Sequence, residues 1–444
     1  MLHIELLLLA VAAIVVLTTK FQVHPFLALL FAAIGFGIFS GMPLNLIIES
    51  INDGFGGTLG KIGLVIVIGV IIGEFLEKSG GAFALAEVVL KVIGKKRVPT
   101  AMATIGWIVS IPVFCDSGFV ILSPLNKSLS KRAGISLAGS SVALGLGLYT
   151  SHCMVPPTPG PIGAAGILGA DLGLVIMWGL LVSFIAMVAA VIYASMFASR
   201  TYIDPSPEIS DQDLSKLMKD APGPVVSFIP ILLPIVLIVL KSLGDMQNEA
   251  LQSSMLLKIF SFVGQPVIAL LIGMLVAFTL PKKFDKNMLS TSGWVGSSLS
   301  GASIILLVTG AGGVFGKILQ NSGIATVLAD SMSGINIGLM LPFLLAAAIK
   351  TAQGSSTVAM ITTASIVAPM MQILGFDSET SKALVVVAIG AGSMIASHAN
   401  DSLFWVVTQL SGMDVKKGFS LFTLGSVVIG VVAGVTLLII DMLI

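Results

Sequence analysis

Four short stretches of this chain set ionisable or hydroxyl side chains beside helix-breaking residues, each inside an otherwise apolar run. In Ile111-Pro112-Val113-Phe114-Cys115-Asp116-Ser117-Gly118-Phe119, an aspartate stands among Phe, Val and Ile. A carboxylate in hydrocarbon costs about 2.5–3.5 kcal/mol or more unless it faces protein or water. Asp116 therefore reads as a proton or cation site, with Ser117 and Gly118 beside it as ligand-facing residues. It also reads as the cap of a broken helix, and the two roles are compatible. In Lys350-Thr351-Ala352-Gln353-Gly354-Ser355-Ser356-Thr357, glycine and hydroxyls replace the apolar pattern. N–H groups at a helix start, beside Ser and Thr hydroxyls, bind anions, which nominates Gln353, Gly354, Ser355, Ser356 and Thr357. Lys350 would add a positive charge as an anion partner, or else carry its ammonium to the membrane surface.

The third stretch runs from Ser151-His152 to Pro156-Pro157-Thr158-Pro159-Gly160-Pro161, with four prolines in six residues. Each proline lacks an N–H, so no helix continues through it, and such a break at membrane depth must line a cavity. His152 and Thr158 are the polar candidates there. The fourth, Ser397-His398-Ala399-Asn400-Asp401-Ser402, lies between Met394-Ile395 and Leu403-Phe404-Trp405. A lone histidine in an apolar face is more often structural, but His152 and His398 occupy matching positions in an internal repeat. His398, Asn400 and Ser402 join the candidate ligand residues, and Asp401 becomes a second candidate for ion coupling. The two cysteines, Cys115 and Cys153, have no metal or redox spacing and read as small apolar filler.

These residues need helices to hold them. Charged residues make up only 10% of the chain, apolar ones 56%, and the mean hydropathy is +1.06. A soluble domain carries about 25% charged residues, so this chain cannot hydrate a globular surface. Phe26–Ser40, Leu172–Ser195, Val267–Leu280 and Phe419–Leu443 are apolar runs of membrane-helix character, without the alternation of a barrel strand. An all-α integral membrane protein is expected. Net charge of +1 disfavours nucleic acid as a partner. No basic region precedes the first apolar run, so the first helix is expected to be retained rather than cleaved. Zinc-protease, serine-hydrolase and intramembrane-aspartyl patterns are absent, as is a P-loop. An enzyme, an ATP-driven pump and any cofactor are therefore not expected.

The chain also repeats itself. Gly69-Val-Ile-Ile-Gly73-Glu-Phe-Leu76-Glu-Lys-Ser79-Gly80 matches Gly312-Gly-Val-Phe-Gly316-Lys-Ile-Leu319-Gln-Asn-Ser322-Gly323, continuing through Ala82, Leu85 and Ala86 against Ala325, Leu328 and Ala329. Ser151-His152 matches Ser397-His398, and Gly169-Ala-Asp171 matches Gly412-Met-Asp414. The expected organisation is a first membrane repeat over 1–199, a polar linker over 200–224 and a second repeat over 225–444. Basic residues favour the cytoplasm. Lys95, Lys96 and Arg97 precede the Asp116 segment and Lys127, Lys131 and Arg132 follow it, whereas the equivalent loops carry Asp330 and Asp377 with Glu379 and Lys382. Opposite bias at equivalent loops predicts two inverted repeats. Basic loops on both sides of 98–126 predict a re-entrant hairpin, giving about ten transmembrane helices plus two hairpins, with twelve simple spans in parallel halves as the alternative.

The same residues carry a resemblance. The chain resembles the GntP gluconate permease family, within the ion transporter superfamily, over its whole length. The likeness rests on Lys78-Ser79-Gly80-Gly81, Pro-Val-Phe-x-Asp-x-Gly-Phe at 112–119 and Pro-Pro-x-Pro-Gly-Pro at 156–161. It extends to Gly310-Ala-Gly-Gly-Val-Phe-Gly-Lys317, Gln353-Gly-Ser and Ser397-His-x-Asn-Asp-Ser402. It implies a multi-pass protein of a bacterial inner membrane that symports gluconate or a related small hydroxy acid with a proton. Sodium coupling, and D-serine or glycerate as cargo, stay open, and a homo-oligomer is compatible. Two positions depart from the family pattern: Thr158 where His is common, and Cys115 where Phe is common. Both bear on which acid is carried and which group takes the proton.

Overall fold

The computed structural model of the protein describes residues 2–94, 97–205, 221–245, 255–324 and 338–443. Lys95, Lys96, Ala325, Leu328, Ala329, Asp330 and residues 206–220 of the expected linker lie outside the described residues. Those described form helices and connecting turns, with no strand among them.

The first nine helices are α1 (Leu2–Thr19), α2 (Pro25–Phe39), α3 (Leu44–Lys78), α4 (Gly81–Ile93), α5 (Val98–Val109), α6 (Cys115–Ala133), α7 (Leu137–Met154), α8 (Pro159–Leu168) and α9 (Leu172–Met196). Then come α10 (Pro224–Asp245), α11 (Met255–Val263), α12 (Pro266–Ala277), α13 (Trp294–Asn321), α14 (Met340–Gln353), α15 (Ser356–Val367), α16 (Glu379–Gly392) and α17 (Ser402–Leu410). A last helix, α18 (Leu424–Leu443), follows a π-helical turn at Gly418–Thr423. Proline marks several starts, as it should where the missing N–H is an orphan anyway. Pro25, Pro159 and Pro266 open α2, α8 and α12.

The protein is an all-α, multi-spanning membrane protein. Among the described residues, five segments are long and apolar enough to cross a bilayer: Leu44–Lys78, Leu172–Arg200, Pro224–Asp245, Lys286–Asn321 and Val415–Leu443. Their outer faces are apolar, which only lipid can satisfy. On α9, Leu181, Phe184, Val188 and Ile192 form an exposed stripe at helical spacing, and Leu424, Val431, Val435 and Ile439 do so on α18.

Two helices form the spine. α3 has 35 residues and so measures about 52 Å at 1.5 Å per residue, well beyond a ~30 Å hydrocarbon core. It packs antiparallel along α13: Ser50 meets Asn321 at 2.9 Å and Phe75 stacks edge-on against Trp294, with centroids 5.0 Å apart. Backbones touch where they cross. A Cβ added to Gly54 would lie 2.6 Å from the Gly313 carbonyl oxygen, and one on Gly313 would lie 2.4 Å from that of Gly54. Without a hydrophobic drive between helices in lipid, such close contact is what holds them.

The broken segments rest on this spine. α5 and α6 are separated by Ser110–Phe114, and Gly73 of α3 receives the Pro112 carbonyl so closely that a Cβ there would come within 2.3 Å of it. α6 then runs antiparallel to α7, tied by Asn126 to Ser141 at 3.0 Å and Ser130 to Ser140 at 2.7 Å. Lys127 belongs to α6 and is buried, and Lys131 and Arg132 form its last turn. They were expected in the following loop. The helix continues past them because Gly134, in the left-handed region, supplies the stop. α8 and α15 run side by side, Gly160 against Met360 and Gly163 against Ile361.

Candidate functional site

Two helix breaks and one helix start meet in the middle of the protein. The tip between α5 and α6, the tip between α14 and α15, and the start of α17 surround a cavity of about 480 Å³. That falls within the usual range for small-molecule sites, about 300–1,000 Å³. Phe114, Cys115, Asp116 and Ser117 line it from the first break, and Gln353, Gly354, Ser355, Ser356 and Thr357 from the second. Asn400, Asp401 and Ser402 come from the approach to α17, and Tyr149 and His152 from the last turns of α7.

Three helix N-termini thus point at one space. At α6 the N-cap residue is Phe114, which offers its first turn no side-chain acceptor. At α15, Ser355 caps by accepting from the Val358 N–H at 3.3 Å, and at α17, Asp401 accepts from the Leu403 N–H at 3.2 Å. Each N-terminus carries roughly half a positive charge in the form of unpaired N–H groups. A fourth feature adds to these. His152 is buried and its Nδ1 has no hydrogen-bond partner among the described residues. A buried ring nitrogen facing a cavity without a partner is a group left for a ligand or water.

The second break is held by its neighbours. The α14 carbonyls that would bond onward are taken over: His398 Nε2 lies 2.9 Å from the Thr351 oxygen, and the Asn400 amide donates to Thr351 and Ala352 at 2.9 and 3.2 Å. The Gln353 side chain bridges the break, donating to the Ser355 carbonyl and accepting from the Ser355 N–H. Gly354 has φ of +92°, and a Cβ there would sit 2.0 Å from the Asn400 carbonyl oxygen. Gly354→Val is therefore expected to remove substrate binding altogether, because valine is barred by both the backbone and the neighbouring chain. Equilibrium binding of labelled substrate to purified protein checks this, with Ser355→Ala/Ser356→Ala as comparison. That double variant keeps the backbone donors and should lose affinity by about tenfold to a hundredfold rather than entirely.

The two carboxylates have different settings. Asp401 is saturated: Lys350 Nζ donates to it at 2.7 Å, the Ser397 hydroxyl donates to the same oxygen, and the Tyr149 hydroxyl is at 3.5 Å. Lys350 is fully buried and also donates to the Gly354 carbonyl. Its ammonium is thus spent on Asp401 and Gly354 and lies behind the cavity wall. It neither lines the cavity nor reaches the surface, the two places where its expected roles of anion partner or surface-reaching cation would put it. Asp116, by contrast, has only neutral partners. It accepts from the Ser402 hydroxyl at 2.6 Å, and the Cys115 thiol is 3.6 Å away.

Three other nominated residues stand away from the cavity. Gly118 packs against Leu148, where a Cβ would lie 2.7 Å from a methyl group. Thr158 is buried and donates to the Val155 carbonyl at 2.6 Å, closing the turn after the prolines. His398 caps α14 from outside. Three residues not nominated as ligand residues are in the wall: Phe114, Cys115, which had read as apolar filler, and Tyr149. Tyr149 looks like any residue of an apolar helix, and only its hydroxyl, reaching the Ser393 carbonyl at 3.2 Å, shows its place.

Comparison with known proteins gives the same class of molecule. The chain is 39% identical over 455 residues to an uncharacterised permease of Haemophilus influenzae, covering 98% of this chain and 92% of that protein. It is 36% identical to a gluconate permease of Pseudomonas aeruginosa, over 98% of this chain and 96% of that one. It is 34% identical to the D-serine transporter DsdX of Escherichia coli, over 97% and 96%. The fold resembles the crystal structure of the YdaH transporter of Alcanivorax borkumensis, with a TM-score of 0.61 and 16% identity over 90% of this chain and 89% of that one. With the GntP family permease profile matching residues 2–443, the chain belongs to the GntP permease family, within the ion transporter superfamily, and is a membrane transporter rather than an enzyme.

Proposed function

We propose that this permease carries gluconate or a related small hydroxy acid into the cell across a bacterial inner membrane, in symport with a proton. The observation that carries this is the convergence of three helix N-termini and the Ser355, Ser356, Thr357 and Ser402 hydroxyls on one cavity. The cargos named for two relatives, gluconate and D-serine, both bear a carboxylate beside a hydroxyl-bearing carbon chain. The co-transported cation follows from charge. Around the cavity Asp116 and Asp401 contribute two negative charges and Lys350 one positive, a net of −1 before any substrate arrives. An anion enters such a site readily only if a cation neutralises Asp116. Asp116 is the coupling group in this reading, and Asp401, already paired, positions Lys350 and the second break. Sodium in place of the proton would satisfy the same charge balance.

Competition of labelled gluconate uptake in proteoliposomes by unlabelled gluconate and by its amide tests the site. The acid should compete about tenfold to a hundredfold better, the worth of hydrogen bonds to a charged group. Equal competition would remove the anion site. Including D-serine and glycerate as competitors, under a pH gradient and under a sodium gradient, selects among cargos and coupling ions.

The proposed scaffold is two inverted repeats, 1–199 and 225–444, joined by the segment 200–224, with about ten spans and two re-entrant hairpins. Local structure at the matched stretches supports the repeat. Gly169 and Gly412 both have φ of +65°, and Asp171 and Asp414 both cap the next helix, accepting at 2.9 and 2.8 Å. Ser79 and Ser322 both end a helix and accept from the N–H two residues on, each at 3.3 Å. α6 and α15 both start at the cavity, and inversion sends them to opposite membrane faces. Single cysteines replacing Lys131 and Asp377, on a background without Cys115 and Cys153, are accordingly expected to label from opposite faces with an impermeant maleimide. Labelling of both from one face would support parallel halves instead.

A further inference from the structure

The Gly310–Lys317 run is not part of the substrate cavity, yet it lines another. Between α3, α8, α13 and α15 lies a second cavity of about 410 Å³, with no lining residue in common with the first. Gly54, Gly166, Gly313 and Gly316 give it backbone walls. Its polar side chains are Asp53, Thr58, Lys61, Lys317 and Gln320. Lys61 stands at the middle of the 35-residue α3 and has no hydrogen-bond or ion-pair partner among the described residues. Lys61, Asp53 and Gly57 are exposed, so the cavity they line is open to the surroundings of the protein, and a lysine on a membrane-crossing helix is tolerated where it meets water or a counter-charge. Lys317 donates to the Gln320 side chain at 3.4 Å, a contact that leaves its charge unneutralised.

The charge here is the reverse of that at the substrate cavity. Two lysines against Asp53 leave a net of +1, whereas Asp116, Asp401 and Lys350 leave −1. The two cavities lie at opposite ends of one helix. α15 begins at the substrate cavity with Ser356 and Thr357, and Ala368 and Pro369 just past its end line the second. Its 12 residues separate them by about 18 Å. Between them, the hydroxyls of Thr309 on α13 and of Thr362 and Thr363 on α15 are buried with no hydrogen-bond partner among the described residues. Thr309 Oγ1 is 3.5 Å from where a Cβ on Gly163 of α8 would be, so one of these hydroxyls lies at the α8–α13 contact.

We propose that this second cavity is a separate station for the transported carboxylate, held by Lys61 and Lys317, which attracts the anion without any coupling cation. The proposal rests on the reading of the protein as an organic-anion carrier. It adds a division of labour: a positive vestibule on the Asp377 side of the molecule gathers the acid, and the net-negative site binds it only together with its cation. Focusing of this kind raises local anion concentration in a cleft lined by one sign of charge.

The test uses the full chain with Cys115 and Cys153 replaced by Ser and a reporter, Thr58→Cys, in the vestibule wall. Two methanethiosulfonates are compared, one bearing a sulfonate and one a trimethylammonium group, with rates divided by those for a free thiol. The sulfonate reagent is expected to react about tenfold faster. The preference should vanish in Lys61→Gln/Lys317→Gln, persist in Lys61→Arg/Lys317→Arg, and gluconate should slow the reaction. Equal rates, a preference that survives the double glutamine variant, or a reporter that neither reagent reaches each overturns the proposal. The reagent preference does not depend on the cargo. A charge-dependent preference in a protein that fails to carry gluconate therefore supports the vestibule and counts against the substrate reading alone.

Discussion

Asp116→Asn is expected to abolish accumulation of substrate against a gradient while leaving the protein folded and downhill exchange measurable. Asparagine has the same shape and its amide oxygen still accepts from the Ser402 hydroxyl, now 2.6 Å from the carboxylate, so the tie between α6 and α17 survives. What disappears is the charge. With Asp116 ionised, an incoming carboxylate would face a like charge across the cavity. At 4 Å and an effective dielectric of 20 that repulsion is about 4 kcal/mol, close to a thousandfold in affinity. Neutralising Asp116 with a cation would remove the repulsion, which is the proposed link between ion and substrate. In the asparagine variant the repulsion is absent from the start, so binding should no longer depend on pH or sodium. The measurement pairs uptake driven by an imposed gradient with exchange from preloaded proteoliposomes. Wild-type accumulation by the variant would reduce Asp116 to a cap.

Lys350→Met should have the largest effect on stability. It leaves Asp401 buried with its strongest partner gone, and breaking a buried pair from one side costs about 3–5 kcal/mol. The Ser397 hydroxyl, the Tyr149 hydroxyl and the Leu403 N–H would remain around the carboxylate, but none carries a charge. The Gly354 carbonyl would lose a donor as well, so the second break should loosen. The companion variant Lys350→Met/Asp401→Asn removes both charges together and should recover most of the loss. Thermal unfolding in detergent, followed by size-exclusion chromatography, reads both. A double variant no more stable than the single would mean that the two residues are not energetically coupled.

Much of this was legible from residue order, for reasons that differ by residue. The apolar runs at 26–40 and 172–195 become Pro25–Phe39 and Leu172–Met196 because proline and an aspartate cap punctuate them locally. Asp116, Gln353 to Thr357 and Asn400 to Ser402 could be found because each is costly in an apolar run unless something faces it. Which way a side chain faces is not local. Thr158 and His398 lie in the right segments but turn to backbone carbonyls, since those breaks leave acceptors that something must satisfy. The Lys350–Asp401 pair spans 51 positions and the Tyr149 contact 252, and no periodicity encodes either. Lys127 shows the opposite limit. Its charge suggested a loop, yet a helix carries it because a helix can hold a cation in its last turns until glycine ends it.

The crossing of α3 and α13 has a consequence for anyone wishing to stabilise this protein for crystallisation or display. Glycine-to-alanine exchange in a helix is a standard route to stability, worth about 0.4–1 kcal/mol through the unfolded chain. Gly35 in α2 and Gly301 in α13 have nothing within 4 Å of an added Cβ, and alanine fits there. Gly54 and Gly313 look identical in sequence terms, yet an added methyl at either would meet backbone at 2.6 or 2.4 Å. Alanine at those two positions pries apart the two helices of the spine. A consensus library that treats helical glycines alike would thus mix its most useful members with its most harmful, and the sorting criterion is the neighbouring backbone rather than helix propensity.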